Sequence, residues 1–477
     1  MYRTLTHRRR WIAGAVAAVG FVGAIGAVGV PAAQATVPSA PGKVGVVCTN
    51  DTAVPGKPTF NLETDADYIT LPDGNTAYMY GYKLAGGHFQ HPSPVLCVKE
   101  GDTVTITLKN RLARDVSIMF PGQTAVLANG APAVPQSTGG VLTSLTNAAA
   151  AASTTGGNDG GTITYSFVAD HPGTFLYESG TDSDVQVRMG LFGALIVRPT
   201  MGDDFVYDRA DSRFTTMANT PKVTSGPTLR TGAYNTEEFL VLLSEIDPYL
   251  NQAIETVDGG GTSNYSLDDY HPRYWLINGR GFPDSVADNS ASWLPNQPYG
   301  ALAEVRPING DTNDPNYHPF PAVTRYLNVG TETYPFHPHG NNGTVIGRDG
   351  NPLESAGGQD LSYEKFAVDI GPGQTYDVLS SWHDDQQYDP STNPVPVEVP
   401  QVANQVFGMF YSGSPYLGEN GTLPPGQQTL NQCGEFYIIA HNHALYQITS
   451  WGVNMTGPIT YMRVDPNPSN KPGCPGS

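Results

Sequence analysis

Glycine and proline interrupt this chain almost everywhere, with 54 of one and 40 of the other, together 94 of 477 residues. Glycine weakens a helix interior and proline removes a backbone donor, so such a scatter leaves short segments and disfavours long helices. Between the breaks, apolar residues alternate rather than recur at helical spacing. In "CVKEGDTVTITLKNRL", Val98, Val104, Ile106 and Leu108 share one face, with Thr and Lys on the other. "GTITYSFVADHPGTFLYE" and "MGLFGALIVRP" read as further strands. Short strands separated by turn signals predict an all-β fold of sandwiches rather than βα units.

The second half repeats the first. "TITYSFVADHPGTFLYESG" closing on "GALIVRP" has a counterpart in "QCGEFYIIAHNH" closing on "GPITYMRV". Two tandem sandwich domains follow, over residues 40–200 and 231–466, joined by a polar linker at 201–230 and followed by a tail at 467–477. The small-residue run 137–162 reads as a surface loop, and 383–431 as a polar excursion from the second domain.

Residues 1–35 read as an export signal: Arg8, Arg9 and Arg10 precede an apolar stretch that ends on Ala33-Gln34-Ala35. The paired arginines followed by Trp11 and Ile12 suit a twin-arginine signal. No second apolar run is long enough to span a membrane. The whole chain carries 25 Lys+Arg against 44 Asp+Glu, a net −19. Removing the four arginines of the signal leaves −23, a polyanion that nucleic acid and anionic lipid repel. Cys48, Cys97, Cys433 and Cys474 are an even set in an exported chain, so two disulfides are expected. Of the three connectivities, Cys48–Cys97 with Cys433–Cys474 keeps each bridge within one half.

Eleven histidines occur. His7 lies in the signal, and His88, His91, His171, His271, His318 and His383 stand alone, as surface or hydrogen-bonded residues do. Two pairs differ: His337 with His339 in "YPFHPHGNN", and His441 with His443 in "AHNHALYQ". Strand side chains alternate, so each His-x-His pair points both rings to one face. Four imidazoles on two strands suit copper, zinc or iron.

The ordered series "PVLCVKEGDTVTITLKNRL", "NGAPAVPQ", "YSFVADHPGTFLYES", "GLFGALIVRP", "YWLINGRGFPD", "TRYLNVGTETYPFHPHG", "FAVDIGPGQTYDVL" and "EFYIIAHNHALYQ" resembles the multicopper oxidases over most of the chain. This laccase-like family implies two tandem cupredoxin-like Greek-key domains, as in its two-domain members. Its ligand motifs transfer only in part. The first aligns with "MFPG", leaving Met119 and Pro121, and the second with "YESG", leaving Glu178 and Gly180. In the third, His337 and His339 survive, but Tyr334 replaces a ligand of the blue (type 1) copper. In the fourth, His441 and His443 survive, while Asn442 replaces the cysteine and Gln447 the last histidine.

A blue copper needs a thiolate with two imidazoles, so no type 1 copper is expected. His337, His339, His441 and His443, with Glu178 as an additional ligand, are the metal site the resemblance leaves, enough for one or two ions of copper, with zinc an alternative. Three readings stay open: a copper-dependent oxidoreductase acting on a small molecule or metal ion, a secreted copper carrier without turnover, and a metal-free scaffold. Ordinary laccase activity is not expected. In the family's two-domain members, the cluster forms between neighbouring chains, which implies a homotrimer.

Overall fold

The computed structural model describes residues 44–49, 54–214, 237–312, 318–383, 409–410, 421–422 and 436–464. The export signal, Cys433, Cys474 and most of the 383–431 excursion lie outside these residues. Cys48 and Cys97 are bridged.

Each half builds one large sheet and one small one, in matching order. In the first, strands run Thr76–Leu84, Thr59–Thr70, Thr103–Lys109, Thr162–Val168, Leu127–Ala128, Ala131–Pro132. In the second they run Tyr274–Ile277, Glu238–Ile246, Ala322–Asn328, Thr375–Ser380, Gly343–Arg348, Asn351–Pro352. The directions match too: Thr59–Thr70 pairs parallel with Thr103–Lys109, and Glu238–Ile246 parallel with Ala322–Asn328. The small sheets repeat as well. Phe192–Arg198 lies between Gly173–Glu178 and Leu96–Lys99, as Ile459–Val464 lies between Phe436–Asn442 and Ala303–Val305. Two tandem cupredoxin-like sandwiches result.

The alternation read from sequence is what closes the first core. Val104, Ile106 and Leu108 are fully buried and pack with Val98, whereas the intervening Thr105 and Thr107 stay at the margin. Glu238–Ile246 breaks that pattern, because every one of its residues is buried. Phe239, Val241 and Leu243 face the second core. Leu240 and Leu242 face the other way, onto Leu176, Phe192 and Ile196 of the first domain. Burying each such leucine stabilises by about 1.5–3 kcal/mol, so this strand carries core and domain seam together. After it, Asp247 caps the helix Pro248–Asp258 by accepting from the Tyr249 N–H at 3.0 Å, with Pro248 in the first turn. That helix lies on the first domain, where Asp258 accepts from the Tyr80 hydroxyl at 2.7 Å and pairs with Arg114 at 2.9 Å.

A buried charge cluster crosses the same seam. Arg198 of the first domain grips Glu238 with both terminal nitrogens at 2.7 Å. Arg325 reaches Glu238 at 2.5 Å and Asp377 at 3.2 Å. Asp377 also accepts from Thr174 at 2.6 Å and from Tyr207 at 2.7 Å. Tyr207 belongs to the stretch read as a polar linker. There, Val206, Tyr207 and Phe214 are buried against Val323, Ile346 and Leu379.

Burial pushes the Glu238 carboxyl up, but the two guanidiniums outweigh it and hold the group at about 2, below its ordinary 4.5. A carboxyl lowered on folding stabilises above its unfolded value, and that contribution is lost as pH falls through the folded value. Stability should therefore decline between about pH 4.5 and 2 through this group, as acid titration followed by circular dichroism would read. Arg325→Ala leaves two buried carboxylates undercompensated. It should cost about 3–5 kcal/mol in denaturant unfolding.

Candidate metal centre

Strand register gathers the histidines. Tyr334–Pro338 and Phe436–Asn442 pair antiparallel with His337 opposite His441. The ladder continues past the strand ends, with the His339 N–H donating to Ile439 O at 2.9 Å and the His443 N–H to Pro335 O at 2.8 Å. His339 and His443 thus flank the central pair on the same face. Ring centroids lie 4.6 Å apart for His337 and His339, 5.8 Å for His337 and His441, and 5.5 Å for His441 and His443.

Backbone carbonyls orient two of the rings. The Nδ1 of His337 lies 2.9 Å from Phe366 O, and that of His441 lies 2.8 Å from Asn442 O. With Nδ1 donating, Nε2 is left as the unprotonated ligand atom. The His339 and His441 Nε2 atoms approach to 3.1 Å. Two imidazole nitrogens each about 2.0–2.1 Å from one ion sit about 2.9–3.4 Å apart, so this separation fits a shared metal. The rings as they stand are turned to one another: among the described residues, no group of three or more His, Cys, Asp or Glu is arranged to hold an ion. Burial lowers the pKa of His339 and of His441, and the neighbouring histidines lower both further. Unprotonated rings are what a metal requires.

Glu178 lies in a different sheet from the histidine strands. It sits in Gly173–Glu178 of the first domain, bridged to Met119 through the backbone, and no hydrogen bond links it to any of the four. Around Gly180, hydroxyls bond to one another instead: Thr181 donates to Ser117 at 2.9 Å and shares a hydrogen with Ser144 at 2.8 Å. Ser117, Ser144 and Thr181 thus satisfy one another's hydroxyls.

The opposite face of the histidine strands holds the residues that the resemblance aligns with blue-copper ligands. Tyr334, Asn442 and Gln447 are all fully buried. Asn442 donates to the Gln447 side-chain oxygen, and Gln447 donates to Glu332 at 2.6 Å. Trp275 donates to the same Glu332 oxygen at 2.8 Å. Tyr334 donates to Glu245 at 2.5 Å, and the Thr331 hydroxyl to Glu245 at 2.7 Å. Burial raises the pKa of Glu245 despite these donors, and Glu332 raises it further. These oxygens and amides offer no soft donor, so the residues do not fit a type 1 copper. Glu245 and Glu332 escaped the sequence reading, although a glutamate inside the apolar run "EFLVLLSEI" is a signal of a buried partner.

Two of the isolated histidines also differ from expectation. His318 is buried, with Nε2 2.8 Å from Glu237 but off the line of a hydrogen bond. His91, read as a surface or hydrogen-bonded residue, is fully buried with no partner for either ring nitrogen.

No family model matches the chain. Over 118 residues, 25% of the chain, it is 33% identical to copper resistance protein A of Escherichia coli, covering 16% of that protein. Over 128 residues, 26% of the chain, it is 34% identical to L-ascorbate oxidase of Cucurbita maxima, covering 19% of it. The matches therefore span less than a fifth of the length of these curated relatives. Among solved structures, the multicopper oxidase mgLAC aligns over 87% of this chain and 89% of its own, at 18% identity and a TM-score of 0.48. A blue copper oxidase from Nitrosomonas europaea aligns over 85% of each chain, at 18% identity and a TM-score of 0.46. The resemblance to the multicopper oxidases read from the motifs is supported by these relatives. No helix among the described residues is long and apolar enough to cross a membrane.

Tyr334→Phe removes a donor from a buried carboxyl while keeping the ring. It should cost about 1–3 kcal/mol by denaturant unfolding, and Tyr363→Phe, at an exposed phenol, much less.

Proposed function

We propose that this chain, similar to the multicopper oxidases, is an exported protein that binds one or two copper ions through His337, His339, His441 and His443. The observation that carries this reading is the register of the two His-x-His strands, which puts all four rings on one face. Copper supplies one-electron chemistry when bound. The chain supplies Nε2 ligands, held by the Phe366 and Asn442 carbonyls, on a face that leaves His339 and His443 exposed to an incoming molecule. Turnover would make it a copper-dependent oxidoreductase without a type 1 copper, acting on a small molecule or a metal ion.

The amide network at residues 442 and 447 supports a second reading, a secreted carrier that holds copper without turnover, because no redox ion has a donor set there. Zinc in place of copper, or a metal-free scaffold, are the remaining alternatives. A homotrimer is part of the proposal, since it would present a first domain, with Glu178, to the histidines of a neighbouring copy.

Elemental analysis of the exported protein decides the first step. One or two copper ions per chain, lost in a His441→Ala/His443→Ala double variant, is the expected result, and the copper-loaded protein should lack strong visible absorption. A parent protein carrying no metal sinks both copper readings. Oxygen consumption with phenols or reduced metal ions then separates oxidoreductase from carrier.

A further inference from the structure

His91 stands at the seam of the two sandwiches, remote from the metal centre in role and in partners. Its ring is fully buried, and neither nitrogen has a hydrogen-bond partner. Phe192 lies edge-on at 5.3 Å between centroids. Two glycines close the cage, one from each domain. A Cβ on Gly190 would fall 2.8 Å from Nδ1, and one on Gly279 would fall 2.9 Å from Cδ2. The backbone around it is tied across the seam. The His91 N–H donates to Asn296 O at 2.7 Å, and the Tyr299 hydroxyl accepts from Gln90 at 3.0 Å and Val95 at 3.2 Å.

Charges on the surrounding elements are engaged elsewhere. Arg280 is held by the carbonyls of Gln297 and Ala287, and Arg188 lies over the Tyr270 ring. Lys83 pairs with Asp65, and the Asp67 carboxylate meets the Asn296 amide. His88, on the same segment, is exposed. An imidazolium carries two N–H donors, and this cage offers neither an acceptor nor a countercharge.

We propose that His91 is an acid latch: a proton added to its ring parts residues 88–95 from residues 278–300 while both cores stay folded. Burial alone lowers its pKa to about 3 from an ordinary 6.5. A histidine lowered on folding contributes its full stability above 6.5, and the contribution is lost as pH falls toward the folded value. Most of the window lies above that of Glu238, which begins at 4.5, so the range from pH 7.5 to 5 leaves that carboxyl out, and the His91 variants separate the latch from His339 and His441, whose values are lowered too.

The full chain and its His91→Leu variant should be melted at intervals from pH 7.5 to 5, with hydrogen exchange, corrected for its intrinsic pH dependence, followed at both ends. The parent should lose Tm across this range and exchange faster at 88–95 and 278–300 before its core strands do. His91→Leu should flatten the Tm profile and slow that local exchange, and His91→Phe, closer in shape, covers a Leu variant that fails to fold. His318→Gln, at the other buried histidine, should leave the parental slope. An unchanged slope in the His91 variants, a slope abolished by His318→Gln, or acid exchange that rises uniformly would each overturn the latch.

Discussion

A guanidinium with no access to water organises this molecule. Arg325 lies at the crossing of both sandwiches, opposite Asp377 in its own sheet and against Glu238 of the neighbouring strand, which Arg198 of the first domain also grips. Two positive and two negative groups cancel, so the cluster is tolerable only when all four are seated. Desolvating such ions costs several kcal/mol each, and their mutual attraction repays this only in good geometry. The cluster therefore adds little net stability and much specificity. Apolar burial by Leu240 and Leu242 drives the domains together, and the charges accept a single register between them.

That requirement has a counterpart in the metal centre. The same second-domain sandwich that presents Arg325 to the seam presents two histidine strands to its other side. Alternation there sends His337 and His441 outward and Tyr334, Phe336 and Asn442 inward. One strand pair thus carries two sites of opposite character, an imidazole face and a buried polar lattice. Amides and a phenol on the inward face leave the outward imidazoles undisturbed.

Local periodicity made much of this legible. Val104, Ile106 and Leu108 announced a strand and its buried face, and the repeat of motifs announced the second sandwich. His-x-His spacing was enough to put two rings on one face. The pairing of His337 with His441 was not readable, because register is a relation between strands 104 residues apart. Arg325, Glu238 and Asp377 were hidden for the same reason: each looks like an ordinary charge in its own segment, and only the seam makes them a set. His91 was misjudged because burial at a domain interface leaves no periodic trace in the eleven-residue loop 85–95, broken by Gly86, Gly87, Pro92 and Pro94.

The strand Glu238–Ile246, buried along both faces, fixes an order of events in synthesis. Half of its side chains complete a core whose other strands have yet to be made, and half dock on a sandwich already finished. Thr174 waits 203 residues for Asp377. Pairings this distant in sequence are slow to form, so the emerging second half spends its early life using the first as a template.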